Sequence, residues 1–576
     1  MRIRCSLPLL WASLWLLVVP MALSQEAEEV NPPEKARPFQ VSDVIHPTVA
    51  KLPVPEFNDR LVALRMAIST SSEEAEKHVL QGMALIHAAW DYEAYRHFCA
   101  AAELDPDCVM AYWGIVLSLA SPNHEFLQQR VAAIDRMLTL VEAWGTKLPS
   151  VEQDYAIAVA QLYSSEPSAA AKSLERILEK YPRNLQAGLL STFLQRDGYT
   201  EFGDTLYGQE QAIKKMKVYR DAHPDNLSVL SFWAMLHTET PDADGDLRNN
   251  VLPYVRKMVR LVPDFAPYQH LLGHFEWRCG NHLLALEAFE RSSAFYMSYM
   301  EQNKVDFHDC EGWVRSRLYL AAALYSRGEI KKAIAVANQV GALKVDPDRL
   351  GSPGANLVLW EGKNLAARLF MARGAGGDFD RAIAALPPKE EVMLYKGRTL
   401  SIFYLEGLRQ YAACRKALLG ERVDDARLIR EALAVTGSTL MRLQSSARKS
   451  SSMSEYFRSS RTLEVYALEL RGLIALHGDK SQRGSAYNWF QSAVDKQVRP
   501  AMLVPPGIMY PLEMRVADFY LSAGEPLKAA EGFQKALVRR PNDLTSLLGY
   551  HSALLKLGDK AAAAKIQKQI DLVRSN

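Results

Sequence analysis

Two histidines, His270 and His274, have the spacing that most directly suggests chemistry. On a helix, positions four apart lie on one face, which lets two imidazoles share one divalent metal ion. The sequence predicts a metal set of His270, His274 and His237, with Glu239 or His308 as further ligands. The alternative is a pair of partly buried histidines that form hydrogen bonds between packed helices, since two ligands alone do not satisfy zinc.

The motifs of the common catalytic machineries are absent from the sequence. It contains no G-x-S-x-G, no phosphate loop ending in G-K-[ST], no H-E-x-x-H and no dinucleotide-binding glycine pattern. We therefore predict no catalytic residues, and a binding protein is favoured over an enzyme. His87, His97 and His124 are assigned to structure or surface.

The helices that would position these residues follow a repeat, first evident between Glu74 and Trp113. Gly82, Ala94 and Phe98 fall where a tetratricopeptide (TPR) unit places its small and aromatic residues, and Pro106 falls where the unit ends. A small residue allows two helices to approach closely, the aromatic ring fills the space above it, and proline stops the helix.

The same pattern recurs with Gly280, Ala285 and Phe289, and again with Gly524 and Phe533. The fold class predicted from it is all-α: a TPR-like α-solenoid of antiparallel helix pairs forming a right-handed superhelix. We expect residues 61–345 to form an N-terminal TPR-like solenoid, 346–460 irregular helical pairs, and 461–576 C-terminal repeats with a cap.

The repeat register assigns several residues to the concave face of the solenoid. Counted from Pro263 and Gly280, the α-helical face that carries His270 and His274 lines the groove. The predicted partner-binding residues are His270, His274, Trp277, Trp113, Trp233 and Arg315. Of these, Trp113 and Trp277 are expected to be exposed. With Trp233, Tyr296 and Tyr299 they could also stack on a glycan, whereas filling of the core is the simpler alternative.

The N-terminus has the three parts of a secretory signal. Arg2 and Arg4 precede an apolar run from Leu7 to Val19, and small residues at Ala22 and Ser24 favour cleavage before Gln25. We predict a signal peptide at 1–24, a proline-rich extended leader at 25–60, and export to the periplasm or medium. An uncleaved anchor is the alternative, because the run almost spans a bilayer; no later segment is apolar enough to do so.

Composition restricts the partner. The 576 residues are 48% hydrophobic and 9% aromatic, which supports a folded core. A formal charge of +2 lacks the basic footprint of nucleic-acid binding. Removal of Cys5 with the signal leaves five cysteines, an odd number. We expect most to be small buried thiols, although Cys99 and Cys108 could meet.

Residues 91–125, which contain DPDCVMAYWG, resemble a family of exported bacterial TPR-repeat proteins with a DPDC-x-M-A-x-W-G phrase and a central H-x3-H helix. VPDFAPYQHLLGHFEWRCGN is similar to the central unit, and PPGIMYPLEMRVADFYLSAGE to the C-terminal end. The resemblance covers most of 75–570 and implies fold and export, but little chemistry. The preceding helix often carries a second histidine pair in that family; here His237 matches, whereas Trp233 replaces the first histidine.

The leading expectation is an exported TPR scaffold that binds a protein or peptide partner in its concave groove, without a cofactor. The second is a metal-binding or metal-dependent protein that uses His270 and His274. The third is a glycan-binding helical protein of the envelope. Neither nucleic-acid binding nor an integral membrane segment after signal cleavage is expected.

Overall fold

A computed structural model describes residues 38–61, 64–66, 68–120, 124–164, 167–200, 204–240, 243–372, 377–395, 397–446, 453–497 and 504–575. The predicted signal peptide and the first part of the predicted leader lie outside these ranges, as does Cys5. The described part of the chain is mainly α-helical, and its only extended pairing is an isolated bridge between Tyr199 and Thr205. None of the helices in these ranges is long and apolar enough to cross a membrane.

The α-helices of the described residues, numbered in chain order, are α1 (Glu73–His87), α2 (Asp91–Leu104), α3 (Val109–Ser118), α4 (Leu127–Trp144), α5 (Ser150–Ser164), α6 (Pro167–Lys180), α7 (Leu185–Leu194), α8 (Tyr207–Ala222), α9 (Leu227–Leu236), α10 (Leu252–Leu261), α11 (Ala266–Arg278), α12 (His282–Asn303), α13 (Glu311–Ser326), α14 (Ile330–Gly341), α15 (Pro353–Leu357), α16 (Lys363–Met371), α17 (Phe379–Ala384), α18 (Lys389–Val392), α19 (Thr399–Leu419), α20 (Val423–Ser446), α21 (Met453–Ala475), α22 (Lys480–Asp495), α23 (Glu513–Ser522), α24 (Pro526–Arg539), α25 (Leu544–Leu557) and α26 (Lys560–Ser575). Ala243–Val251 and Val358–Gly362 are π-helical.

Most helices pack on their neighbours in sequence, and first helices of successive pairs also pack on each other, as α1 does on α3 and α11 on α13. Helices joined by such short turns must run antiparallel, and their stacking forms a continuous core. The chain is therefore a TPR-like α-solenoid of antiparallel helix pairs, which confirms the predicted fold class. We call the first helices of the pairs the inner helices.

The first pair shows why these residues form the unit. The Ser72 side chain accepts a hydrogen bond from the Ala75 amide and so caps α1. A Cβ at Gly82 would lie 2.7 Å from the Phe98 ring, so only glycine admits that ring between α1 and α2. Ala94 and Phe98 are fully buried, as the repeat pattern predicted.

The turn between α11 and α12 depends on Gly280. Its φ of +77° lies in the left-handed region that favours glycine. A Cβ there would lie 2.7 Å from the carbonyl oxygen of Pro541, at the other end of the chain. The Asn542 side chain donates a hydrogen bond to the Gly280 carbonyl at 3.0 Å. This turn is therefore both a local turn and a long-range contact.

The solenoid winds back onto itself rather than remaining open. In the N-terminal part α1 packs on α9, where the His87 Nδ1 and the Ser228 hydroxyl are 2.8 Å apart and the Ser231 hydroxyl donates to the His87 carbonyl. As a result the inner helices are enclosed. Every residue of α3 is buried, and so is nearly every residue of α11. The inner face is filled along these helices.

The described part of the predicted leader, residues 38–60, lies largely outside helices and packs on the first two pairs. The Tyr95 hydroxyl donates to the Val44 carbonyl at 2.7 Å, and Arg96 donates to the Pro53 carbonyl at 2.8 Å. The leader is therefore a packed segment of the fold over these residues, and not a free spacer.

All five cysteines of the described residues are buried, and none forms a disulfide bond. This confirms the expectation of buried thiols and leaves Cys99 and Cys108 without a disulfide. Burial raises the pKa of each thiol, which keeps the thiolate form scarce.

Candidate functional site on the inner face

The predicted groove residues lie on inner helices or directly after them, but they do not line an open groove. Trp113 and Trp277 are 2% and 4% exposed, so the expectation that they present their rings to solvent is wrong. Trp113 packs edge-on against Phe98 and Tyr155, and the Trp277 ring nitrogen donates to the Ser326 hydroxyl at 3.0 Å. Core filling, the alternative for these aromatic residues, is what the structure shows.

His270 and His274 share one face of α11, as their spacing predicts, and both are buried. The His270 Nδ1 lies 3.1 Å from the Ser316 hydroxyl. The His274 Nε2 donates to the Thr238 carbonyl at 3.1 Å, so a neutral ring keeps an unprotonated Nδ1, which has no hydrogen-bond partner. Burial and the neighbouring Arg278 charge hold the His274 pKa well below its usual range.

The two other histidines predicted as metal ligands, His237 and His308, form hydrogen bonds with other residues. His237 packs on Trp233, and its Nδ1 lies 3.2 Å from the Thr240 hydroxyl. The His308 Nδ1 donates a hydrogen bond to the Asp306 carboxylate, and its Nε2 accepts one from the Asp346 amide. Among the residues that the structure describes, no three or more His, Cys, Asp or Glu side chains are grouped to hold a metal ion. Metal binding stays a prediction.

Trp233 and Arg315 are the remaining predicted partner-binding residues. Both interact with neighbouring side chains or backbone. Trp233 is buried, and its ring nitrogen donates to the Asn250 carbonyl, while Arg220 lies over its ring. Arg315 forms an ion pair with Glu311 one turn earlier on α13. The Glu311 side chain remains 34% exposed, so this pair reaches the solvent-facing part of the inner face.

A series of charged groups follows the inner face from Arg315 toward the loop after α9. Glu311 acts electrostatically on both Asp91 and Glu455. Burial, together with the charge of Glu311, raises the pKa of Asp91 and that of Glu455 to about 7. Further along, Arg458 of α21 donates to Glu239 at 3.0 Å across 219 residues. The side chains of Arg458 and Glu239 are 15% and 36% exposed.

The inner face of the C-terminal pairs is occupied by the chain's own residues 504–512, a non-helical and almost entirely buried segment. The Tyr319 hydroxyl and the Arg368 guanidinium donate to two carbonyls of this segment at 2.9 and 3.0 Å. Arg540 donates to two more. The donors come from α13, from α16 and from the end of α24. Helices far apart in sequence therefore form hydrogen bonds with the same stretch of backbone.

The same segment is fixed by one of its side chains. The Tyr510 hydroxyl donates to the buried Glu469 carboxylate at 2.6 Å, and Arg515 donates to that carboxylate as well. Arg515 also lies over the Tyr510 ring. The positive charges of Arg515 and Arg415 hold the Glu469 pKa below its usual range although burial opposes them.

Sequence reasoning did not find this occupant of the inner face. PPGIMYPL (505–512) resembles the C-terminal end of the family, which does not indicate a position on the inner face. Its three prolines and absence of helical period were the available signal, because proline removes amide donors and favours extended backbone.

The fold and the inner face together define a helical-repeat scaffold. No protein-family model matches the chain, and none of the curated proteins matches it.

Solved structures of helical-repeat proteins are similar in part. The human IFIT1 dimer with m7Gppp-AAAA is 12% identical, with 88% of this chain and 92% of that chain covered and a TM-score of 0.31. The APC/C hetero-tetramer Cut9-Hcn1 is 14% identical, with 87% and 74% covered and a TM-score of 0.32. The P58(IPK) TPR domain is 12% identical, with 84% and 98% covered and a TM-score of 0.19. Similarity at this level carries no conclusion about a ligand or partner.

Proposed function

We propose that the chain is an exported scaffold that binds a protein partner through an extended segment of that partner on the inner face. The observation that carries this proposal is the chain's own segment 504–512. Side chains of the inner helices hold it by its carbonyls, and such contacts do not depend on the side chains of the bound strand. The chain's own segment already uses these donors, and its binding is the precedent for an extended backbone on another part of the inner face.

The part of this face that remains open to a partner is its charged region. Glu311, Arg458 and Glu239 are partly exposed there, whereas the aromatic and histidine residues are buried. The partner segment would therefore be polar and charged, and not an apolar strand. Export rests on the charged start, the apolar run and the small residues before Gln25.

Site-specific photo-crosslinking tests the binding proposal. A benzophenone amino acid replaces Glu239 or Glu311 in the full chain, and as a control it replaces Glu287, which is exposed on the outer side of α12. In the native envelope fraction we expect positions 239 and 311 to crosslink to one segment of the same protein, identified by mass spectrometry, and position 287 not to do so. Adducts at 287 alone, or none at the inner positions, would contradict the proposal.

Fractionation of the producing cells tests export separately. We expect the mature chain in the envelope or medium with an N-terminus at Gln25. A full-length chain retained in the cytoplasm would contradict export without affecting the binding test.

A further inference from the structure

An open groove of about 470 Å³ lies between α12, α13 and α14. Its floor includes Arg317, Leu320 and Leu324 of α13. Because a helix turns about 100° per residue, these positions lie on the opposite side of α13 from Arg315 and Tyr319. The groove is therefore on the outer side of the solenoid, separate from the inner face.

The walls of the groove are mainly apolar. Leu286 and Met297 of α12 face Val336 of α14 across it. Met297 is 45% exposed, although exposure of a large apolar side chain to water is unfavourable. Covering this groove would remove apolar surface from water, which is the main favourable term in association.

A small polar residue also lines the groove. Ser293 lines it and is 5% exposed, yet its hydroxyl has no hydrogen-bond partner within the described residues. An unpaired buried hydroxyl costs free energy that a polar group of an occupant would recover. An occupant could recover this hydrogen bond only if the Ser293 side chain turned toward it.

Charges of both signs border the groove, and they argue for a polypeptide occupant. Glu290 lies on the α12 side, and Lys332 lies on the α14 side. Lys332 pairs with Glu329 of its own turn, through a side chain that is 74% exposed. A lipid tail has no charged groups that could pair with both signs, whereas a helix with charged flanking residues complements them.

The length of the groove selects the form of the polypeptide. Leu286 to Met297 is eleven residue steps of α12, about 16 Å at the helical rise. A partner helix of three turns has this length, and its apolar residues at i, i+3 or i+4, and i+7 would lie along one side.

We propose that this outer groove docks an amphipathic helix of a protein partner. Its apolar side faces Leu286, Met297 and Val336, an acidic residue lies beside Arg317 and Lys332, and a basic residue lies beside Glu290. The proposal does not depend on the inner face. The area buried by three turns is at the low end of specific interfaces, so the affinity is expected to be micromolar.

A display library of helical peptides of about twelve residues, selected on the full chain, tests this inference. We expect the selected peptides to share the i, i+3 or i+4, i+7 apolar spacing with flanking charges. Their affinity, measured by fluorescence anisotropy, should fall about tenfold or more in Met297→Glu, which places a charge in the groove. Leu284→Glu is the matched control, because Leu284 is on the same helix, is 44% exposed and does not line the groove.

Circular dichroism of both variants verifies that they fold. Absence of selected peptides, peptides without the helical spacing, or equal binding to Met297→Glu and the unmodified chain would overturn the proposal. Concentration-dependent self-association abolished by Met297→Glu would assign the groove to a second copy instead. Binding of dansylaminoundecanoic acid abolished by Met297→Glu, with no peptide selected, would assign it to an acyl chain.

Discussion

Single residues on the inner face show how burial changes their acid–base behaviour. Glu455 is almost fully buried and accepts a hydrogen bond from Asn356 at 2.6 Å, but its pKa is raised to about 7. The folded state therefore favours the protonated carboxyl. The resulting stabilisation is complete below the ordinary glutamate pKa and is lost as pH rises through about 7.

Glu455→Gln should remove most of this pH dependence, because the amide keeps the shape and does not ionise. Between pH 5 and pH 8, we expect the free energy of unfolding of the unmodified chain to fall by about 2–3 kcal/mol more than that of the variant. Denaturant titrations at both pH values measure the difference. Glu431→Gln, at an exposed side chain, serves as the control and should follow the unmodified chain.

At the scale of an element, the turn between α11 and α12 allows two contributions to stability to be measured separately. One is the left-handed backbone of the turn itself, and the other is its contact with the distant Pro541. Gly280→Ala should destabilise the protein by about 1–2 kcal/mol through the left-handed backbone alone. It should cost more than that, because the new methyl group would meet the Pro541 carbonyl. Gly524→Ala is a matched control: its φ is +78°, and nothing lies within 4 Å of the added Cβ.

Denaturant midpoints of the two variants check this prediction. A loss in Gly280→Ala no greater than in Gly524→Ala would mean that the contact between this turn and Pro541 does not contribute to stability. A greater loss measures that contact, because the backbone cost is common to both variants.

Across the whole molecule, Arg349 joins parts of the chain that are far apart in sequence. Its guanidinium contacts Glu125 and Asp309, both at 2.7 Å, and all three side chains are at most 16% exposed. Arg349→Met should cost about 3–5 kcal/mol, because it leaves two buried carboxylates without their cation. Arg427→Met, in an exposed pair with Asp424, should cost at most about 1 kcal/mol.

Calorimetry of both variants tests this prediction and the cooperativity behind it. We expect the unmodified chain to unfold in one main transition, since the solenoid closes on itself, and Arg349→Met to lower that transition or divide it. Equal, small effects of both substitutions would show that this long-range pairing is dispensable.

The sequence predicted local features better than distant ones. The positions of Ala94, Phe98 and Gly280 follow from packing within one pair, so their spacing is sufficient to recognise the unit. The burial of Trp113 and Trp277 depends on other pairs returning to cover them, which no local spacing encodes. The inner position of 504–512 is likewise set by Arg368, more than a hundred residues earlier.

The buried cysteines can report where the helices of the protein separate locally. Their thiols form no disulfide bonds, burial raises their pKa and so favours the unreactive protonated form, and they are spread from Cys99 to Cys414. A thiol-reactive dye would therefore label each position only when the surrounding helices separate. The order in which these five cysteines are labelled would show which helix pairs unfold first, without any substitution in the chain.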